Sequence, residues 1–319
     1  TVEQRDGPKD RLFRDPAQWQ YVIDFYKFFQ DVMVDGIEYY GHLMKKADNN
    51  RTIVGTYYGY TVTMLGGARR AGDAGHMGLH RLLHSDAIDF LMSPFDYSKR
   101  GVGDPYAVMS AIGSVLSHGK LWVLQADLRT HLVTEANQRA HGSPDGLVGT
   151  VSQLERAFAN ATAKGSATQW YDFSHGWIAR DQRQGQVINM LREIGQQQLN
   201  FNRAPDPNGI AVIVDEKTPA AYLSHAFEVN NWLVYRQKSI FERVGAPWNI
   251  YLLDDLTEGK LPRFKMYVFL NCFHMTDAQR QFITRNLQSG GTTLLWMLAP
   301  GYVSDTTLDV RHVRELTGM

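Results

Sequence analysis

Apolar positions near the start of the chain fall at helical spacing. Trp19, Val22, Ile23, Tyr26, Phe29, Val32, Val34 and Ile37 recur every three or four residues and continue to Leu43. Asp15 stands where an N-cap side chain accepts a backbone N–H, and Pro16 suits the first helical position. The pattern predicts one long helix that breaks at Asn49 and Asn50. Beyond it the period shortens. Residues 51–57, 87–93, 120–124 and 167–172 read as apolar strands. Residues 78–83, 106–118, 152–164 and 183–200 read as helices, the third ended by Gly165 in the C′ position. Strand followed by helix, four times over, predicts a parallel sheet with its chemistry at the C-terminal strand ends.

The stretch 204–209 (APDPNG) is a linker by composition, which places a boundary near Pro205 and divides the chain into 1–204 and 205–319. The alternation then restarts. Strands are expected at 210–214, 249–253, 266–270 and 292–296. Helices are expected at 220–244 and, capped by Thr276, at 277–287, with Gly290 and Gly291 turning the chain. This predicts a second, doubly wound α/β unit.

Composition narrows the classes. The 319 residues are 44% hydrophobic and 21% charged with zero formal net charge, so no global field draws in nucleic acid or an anionic membrane. No apolar run approaches the roughly 20 residues that a bilayer requires. Residues 1–14 are polar and lack a signal-peptide core, and the compartment stays open. A single cysteine, Cys272, excludes an internal disulfide framework and a multi-cysteine zinc site. No nucleic-acid, membrane or cofactor partner is expected.

The third strand runs into a polar tail. Gln125, Asp127 and Arg129 alternate, so an extended chain carries them on one side. Two readings stand: a catalytic strand end, or an internal Asp–Arg pair that closes the top of a barrel. The other strand ends carry Tyr57, Tyr58 and Tyr60; Ser93, Asp96 and Tyr97; and Trp170, Asp172 and Trp177. Rings beside carboxylates suit a polyhydroxylated ligand, whose C–H faces stack while its hydroxyls bond. Each of these rings would serve a core equally well.

The motifs FRDP at 13–16, DFYKF at 24–28, GTYYG at 55–59, DFLMSP at 89–94, GKLW at 119–122 and DLRTH at 127–131 resemble, in that order, bacterial retaining glycosidases. The relatives are those of glycoside hydrolase family 42, the β-galactosidase-like branch of the (β/α)8 clan. Residues 209–302 resemble the glutamine-amidotransferase-like domain that follows the barrel there and serves assembly, often into trimers. The resemblance implies the last half of a TIM-type barrel, strands five to eight, followed by that domain. It implies a carbohydrate substrate, a homo-oligomer and a retaining glycosidase acting on a β-linked sugar. Gln125 occupies the position of the nucleophilic glutamate, and an amide neither attacks nor stabilises an oxocarbenium ion. No residue matches the family's acid/base glutamate. The first half of the barrel would then come from an upstream segment or a second chain. The chain is therefore expected to be an impaired hydrolase, with a non-catalytic glycan-binding or scaffold protein as the alternative.

Other signals are weaker. His76, His80 and His84 share helical spacing, but Met77 stands where a zincin motif needs glutamate, which favours a surface stripe over a metal site or a metal-dependent hydrolase. The pairs Asp215–Glu216 and Asp254–Asp255 are expected to be solvated turn residues. Cys272 lacks a glycine-flanked elbow and reads as a packed thiol. Gly101 and Gly103 lack the third glycine of a dinucleotide loop, and no Walker loop is present.

Overall fold

The computed structural model describes residues 10–64, 71–173, 175–198, 206–224 and 226–319. The opening helix runs Pro16–Ala47, with Asp15 accepting from the Ala17 N–H at 3.0 Å. Its buried stripe is Val22, Ile23, Tyr26, Gln30 and Val34. Asn49 and Asn50 both take the left-handed conformation, a state that asparagine tolerates, and this turns the chain out of the helix. The helix is tied down by Arg81, which meets Asp31 at 3.3 Å, Glu38 at 3.0 Å and also Asp35.

Strands β1 (Gly55–Tyr57), β2 (Phe90–Pro94), β3 (Leu121–Ala126) and β4 (Ala167–Trp170) form one sheet in the order β1-β2-β3-β4, all parallel. Side-chain alternation divides this sheet. Trp122, Leu124 and Ala126 of β3 are completely buried on the helix-covered face, with Leu91 of β2 beside them. The opposite face carries Leu121, Val123 and Gln125, and there Leu121 remains 42% exposed.

The second sheet holds β5 (Ile210–Val214), β6 (Trp248–Leu252), β7 (Met266–Phe269) and β8 (Thr293–Trp296) in the order β6-β5-β7-β8, again all parallel. Thr276 forms a full capping box with Gln279 at the helix Asp277–Asn286. One hydrophobic cluster contains Leu91, Trp122 and Leu124 of the first sheet together with Val212, Ile250 and Val268 of the second. The helix Ile112–Ser117 is wedged between the sheets, with the Leu252 N–H donating to Ser114 Oγ at 2.8 Å.

Several expected elements are shorter than their apolar runs. The helix expected over 106–118 begins only at Ile112, because Tyr106 takes a positive φ and its ring packs on Phe95 at 4.3 Å. The segment 220–244 is not one helix. It is a chain of short turns, Thr218–Tyr222, Asn231–Tyr235 and Arg236–Phe241 among them, two of them π-helical. The expected boundary at Pro205 lies outside the described residues.

The wedge depends on Gly113. A Cβ there would lie 2.4 Å from the ring of Tyr251, which is itself buried and packed on Phe264. Gly113→Val is expected to cost about 1–3 kcal/mol by overpacking, read as a lower urea midpoint. A wild-type midpoint would show that the ring is free to move aside.

Candidate functional site

At the C-terminal edge of the first sheet, Pro94, Gln125 and Gln169 stand in register on the less covered face. Gln125 Nε2 donates to Tyr57 Oη and, at 3.1 Å, to Gln169 Oε1. This joins β1, β3 and β4 through a row of phenol and amides. Tyr57 is 47% exposed and Gln169 is exposed, so the row is open to solvent at both ends while Gln125 between them is buried. An amide side chain offers donors and acceptors but no charge.

Two residues further on, the chemistry changes. Asp127, 1% exposed, meets Arg100 Nη1 at 2.6 Å and Arg129 Nη1 at 3.3 Å, and accepts from the Tyr97 hydroxyl at 2.6 Å. The Arg100 guanidinium lies 3.7 Å over the Tyr97 ring, and that of Arg129 lies 4.4 Å over Phe173. Burial, reinforced by the Asp127 carboxylate, pushes the Tyr97 phenol up to about 12, so it remains a donor through neutral pH. Asp127 and Arg129 thus stand in the internal-pair arrangement. Their charges are spent on each other, on Arg100 and on surrounding rings, although the Asp127 carboxylate still acts on Tyr57, the phenol of the Gln125 row.

The remaining predicted residues separate. Tyr58 is in the core, its hydroxyl accepting from the Gly78 N–H at 3.1 Å, because it falls one residue past β1 on the covered side. Tyr60 is half-buried and stacks on His76 at 4.6 Å, but it stays within electrostatic reach of Tyr57, Tyr97 and Asp127 and so does not leave the rim. Asp96 pairs with buried Lys238 and accepts from the Tyr235 hydroxyl at 3.0 Å. Burial would raise its carboxyl, but Lys238 outweighs that and holds it below the usual range. Asp96 therefore anchors the helix Arg236–Phe241. Trp170 is in register with Ala126 and packs on the hydrophobic cluster, since alternation sends it to the face opposite Gln169. Asp172 is half-buried beyond β4, and Trp177 is buried, its carbonyl accepting from Thr130 Oγ1 at 2.8 Å.

Gln169, Arg100 and Phe173 were not singled out from the sequence. Gln169 left a faint signal, a polar residue one strand over from Gln125. Arg100 and Phe173 are in loops, where no periodicity reports which side chain turns inward.

The acidic pairs of the second half also differ from expectation. Asp215, Glu216, Asp254 and Asp255 are buried, not solvated. They lie where the second sheet meets neighbouring helices, and each carboxylate has a task there. Glu216 accepts from the N–H groups of Leu79 and His80 at 2.8 and 3.0 Å, and burial pushes it up to about 7. Asp254 pairs with Lys217 at 2.8 Å. Cys272 is buried, and burial raises its thiol well above the ordinary value.

No protein-family description matches the chain, and no curated protein matches it. Among solved structures, the chain is similar to a β-galactosidase from the psychrophilic Marinomonas ef1, with 14% sequence identity and a TM-score of 0.39. The likeness covers 90% of this chain and 46% of that one, so the chain spans a little under half of the enzyme's length.

Two outcomes follow from the geometry. Asp127→Ala leaves two guanidiniums buried without their carboxylate and is expected to cost about 3–5 kcal/mol in urea unfolding. A loss below about 1 kcal/mol would contradict the buried pairing. His76, stacked between Tyr58 and Tyr60, is held down to about 4 by burial. The unfolded chain, with an ordinary value near 6.5, takes up this proton first as pH falls. The neutral ring therefore contributes stability above about pH 6.5 that is lost on the way down to about pH 4, at most about 3 kcal/mol. His76→Phe should flatten that part of the stability profile, and an unchanged slope would place the titration elsewhere.

Proposed function

We propose that the rim of the first sheet is a carbohydrate site of the glycosidase type, which holds a β-linked sugar and, with glutamine at 125, does not cleave it unaided. The observation that carries this reading is the hydrogen-bonded row of Tyr57, Gln125 and Gln169 at the strand ends, open to solvent at Tyr57 and Gln169. Sugar hydroxyls both donate and accept, as the amides do, and sugar C–H faces stack on phenol rings. Tyr97 and Tyr171 add exposed rings next to the row. The ordered motifs that resemble family 42 glycosidases support the same substrate class.

Cleavage with retention needs two carboxyl groups about 5–5.5 Å apart, one to attack and one to protonate the leaving oxygen. At position 125 the attacking group is an amide. Asp127 is committed to Arg100, Arg129 and Tyr97, which hold both of its oxygens. The exposed face around Leu121 and Tyr57 supports the further reading that more strands, from an upstream segment or a second chain, complete the barrel and would bring the acid/base carboxyl.

The test combines calorimetry over a panel of β-linked oligosaccharides with turnover of aryl β-glycosides. Binding without turnover is expected, with affinity reduced at least about tenfold in Tyr57→Ala and Gln125→Ala, as for loss of a hydrogen-bonding anchor. A panel with no binding at all overturns the reading. Turnover by Gln125→Glu, absent from the parent chain, would identify a hydrolase silenced at its nucleophile, whereas binding with no turnover in either form would favour the non-catalytic glycan-binding alternative.

A further inference from the structure

Away from the strand-end rim, three histidines and two carboxylates from three separate elements converge. His80 belongs to the helix Leu79–Leu83 and His84 caps its C-terminal end. His118 caps the helix Ile112–Ser117. Asp255 belongs to the helix Leu253–Thr257 and Glu258 caps it. His80 Nδ1 lies 3.0 Å from Asp255 Oδ1, and His118 Nε2 lies 2.8 Å from the same oxygen. His80 Nε2 is 3.0 Å from one Glu258 oxygen, and His84 Nε2 is 3.3 Å from the other. One ring nitrogen from each of His80, His84 and His118 falls within 4.8 Å of the others, and so do one His80 nitrogen and one carboxylate oxygen each of Asp255 and Glu258.

We propose that this cluster is a binding site for a zinc-type divalent transition-metal ion, held by the three imidazoles with Glu258 as the oxygen ligand. Imidazole nitrogens with one carboxylate are the donor set that zinc and its neighbours prefer. Tetrahedral zinc, with bonds near 2.0–2.1 Å, places its ligand atoms about 3.3 Å apart, so the rings need close by no more than about 1.5 Å. The surrounding hydrogen bonds are already of the kind that orient metal-bound histidines. His84 Nδ1 lies 3.0 Å from the His80 carbonyl, which fixes the proton on that nitrogen and leaves Nε2 with its lone pair. Asp255, fully buried, stands to His80 Nδ1 as a carboxylate behind a ligating ring. His84 and Glu258 are each 42% exposed at the side chain, so an ion has a way in.

The site joins parts that are far apart in sequence. Asp255 and Glu258 follow β6 of the second sheet, whereas His80, His84 and His118 flank the first. A bound ion would clamp the two layers together, a structural role and not a catalytic one. Met77 breaks the zincin pattern, and the further ligands come from distant segments and not from the next helical turn.

The test uses the full chain, stripped with EDTA and titrated with zinc chloride at pH 7.5 by calorimetry. One equivalent is expected to bind at micromolar concentration or below and to raise the melting temperature. Cobalt in its place should give the visible absorption bands of a tetrahedral ion. His84→Ala and Glu258→Gln, both at exposed side chains, are expected to weaken binding at least tenfold while the metal-free melting temperature stays near that of the parent. Absence of stoichiometric binding at 100 µM metal (roughly the upper limit for a built site), or equal binding in both variants, overturns the proposal and leaves a proton-bridged His–carboxylate cluster.

Discussion

Strand β3 sends Trp122, Leu124 and Ala126 one way and Leu121, Val123 and Gln125 the other, and the first three are sealed from solvent. The sealed side builds the hydrophobic cluster that runs on into Val212, Ile250 and Val268 of the second sheet. Parallel sheets ordinarily bury both faces. Here the face with Leu121 and Tyr57 is markedly more open among the described residues, and the polar row on it is exposed at its ends, Tyr57 and Gln169. Gln125 and Gln169 lie on that face, and Trp170 does not.

Buried charge is the second organising element. Asp127 with Arg100 and Arg129, Asp96 with Lys238, and Asp255 with His80 and His118 each gather partners from distant segments. Taking charges out of water is costly, and a buried pair is offset only when both partners stay in place. These sets therefore add little net stability, but a loop that lets go of one leaves an uncompensated charge behind. This ties the loop at 95–111, the helix Arg236–Phe241 and the helix Leu253–Thr257 to specific positions around the sheets. Carboxylates that look like catalytic candidates in the sequence are largely occupied in this way.

Much of the architecture was legible from periodicity. The long helix, its Asp15–Pro16 start, its end at Asn49 and Asn50, the eight short strands and the Thr276 cap all follow from local rules of spacing and capping, which involve residues a few positions apart. Element lengths were less legible. The runs at 106–118 and 220–244 carry apolar residues at helical spacing, yet tertiary packing delays the first to Ile112 and breaks the second.

Side-chain partners were decided only in three dimensions. The sequence determined that Gln125 ends an apolar strand with an uncharged amide, because residue type and strand period are local properties. It did not determine that Asp127 would be held by Arg100, that Asp96 would be claimed by Lys238 from 142 positions away, or that His80 and His118 would share the oxygen of Asp255. A charge in the interior is satisfied by whatever opposite charge the packed layers bring within reach. That proximity is a property of how the two sheets meet, and no spacing along the chain encodes it.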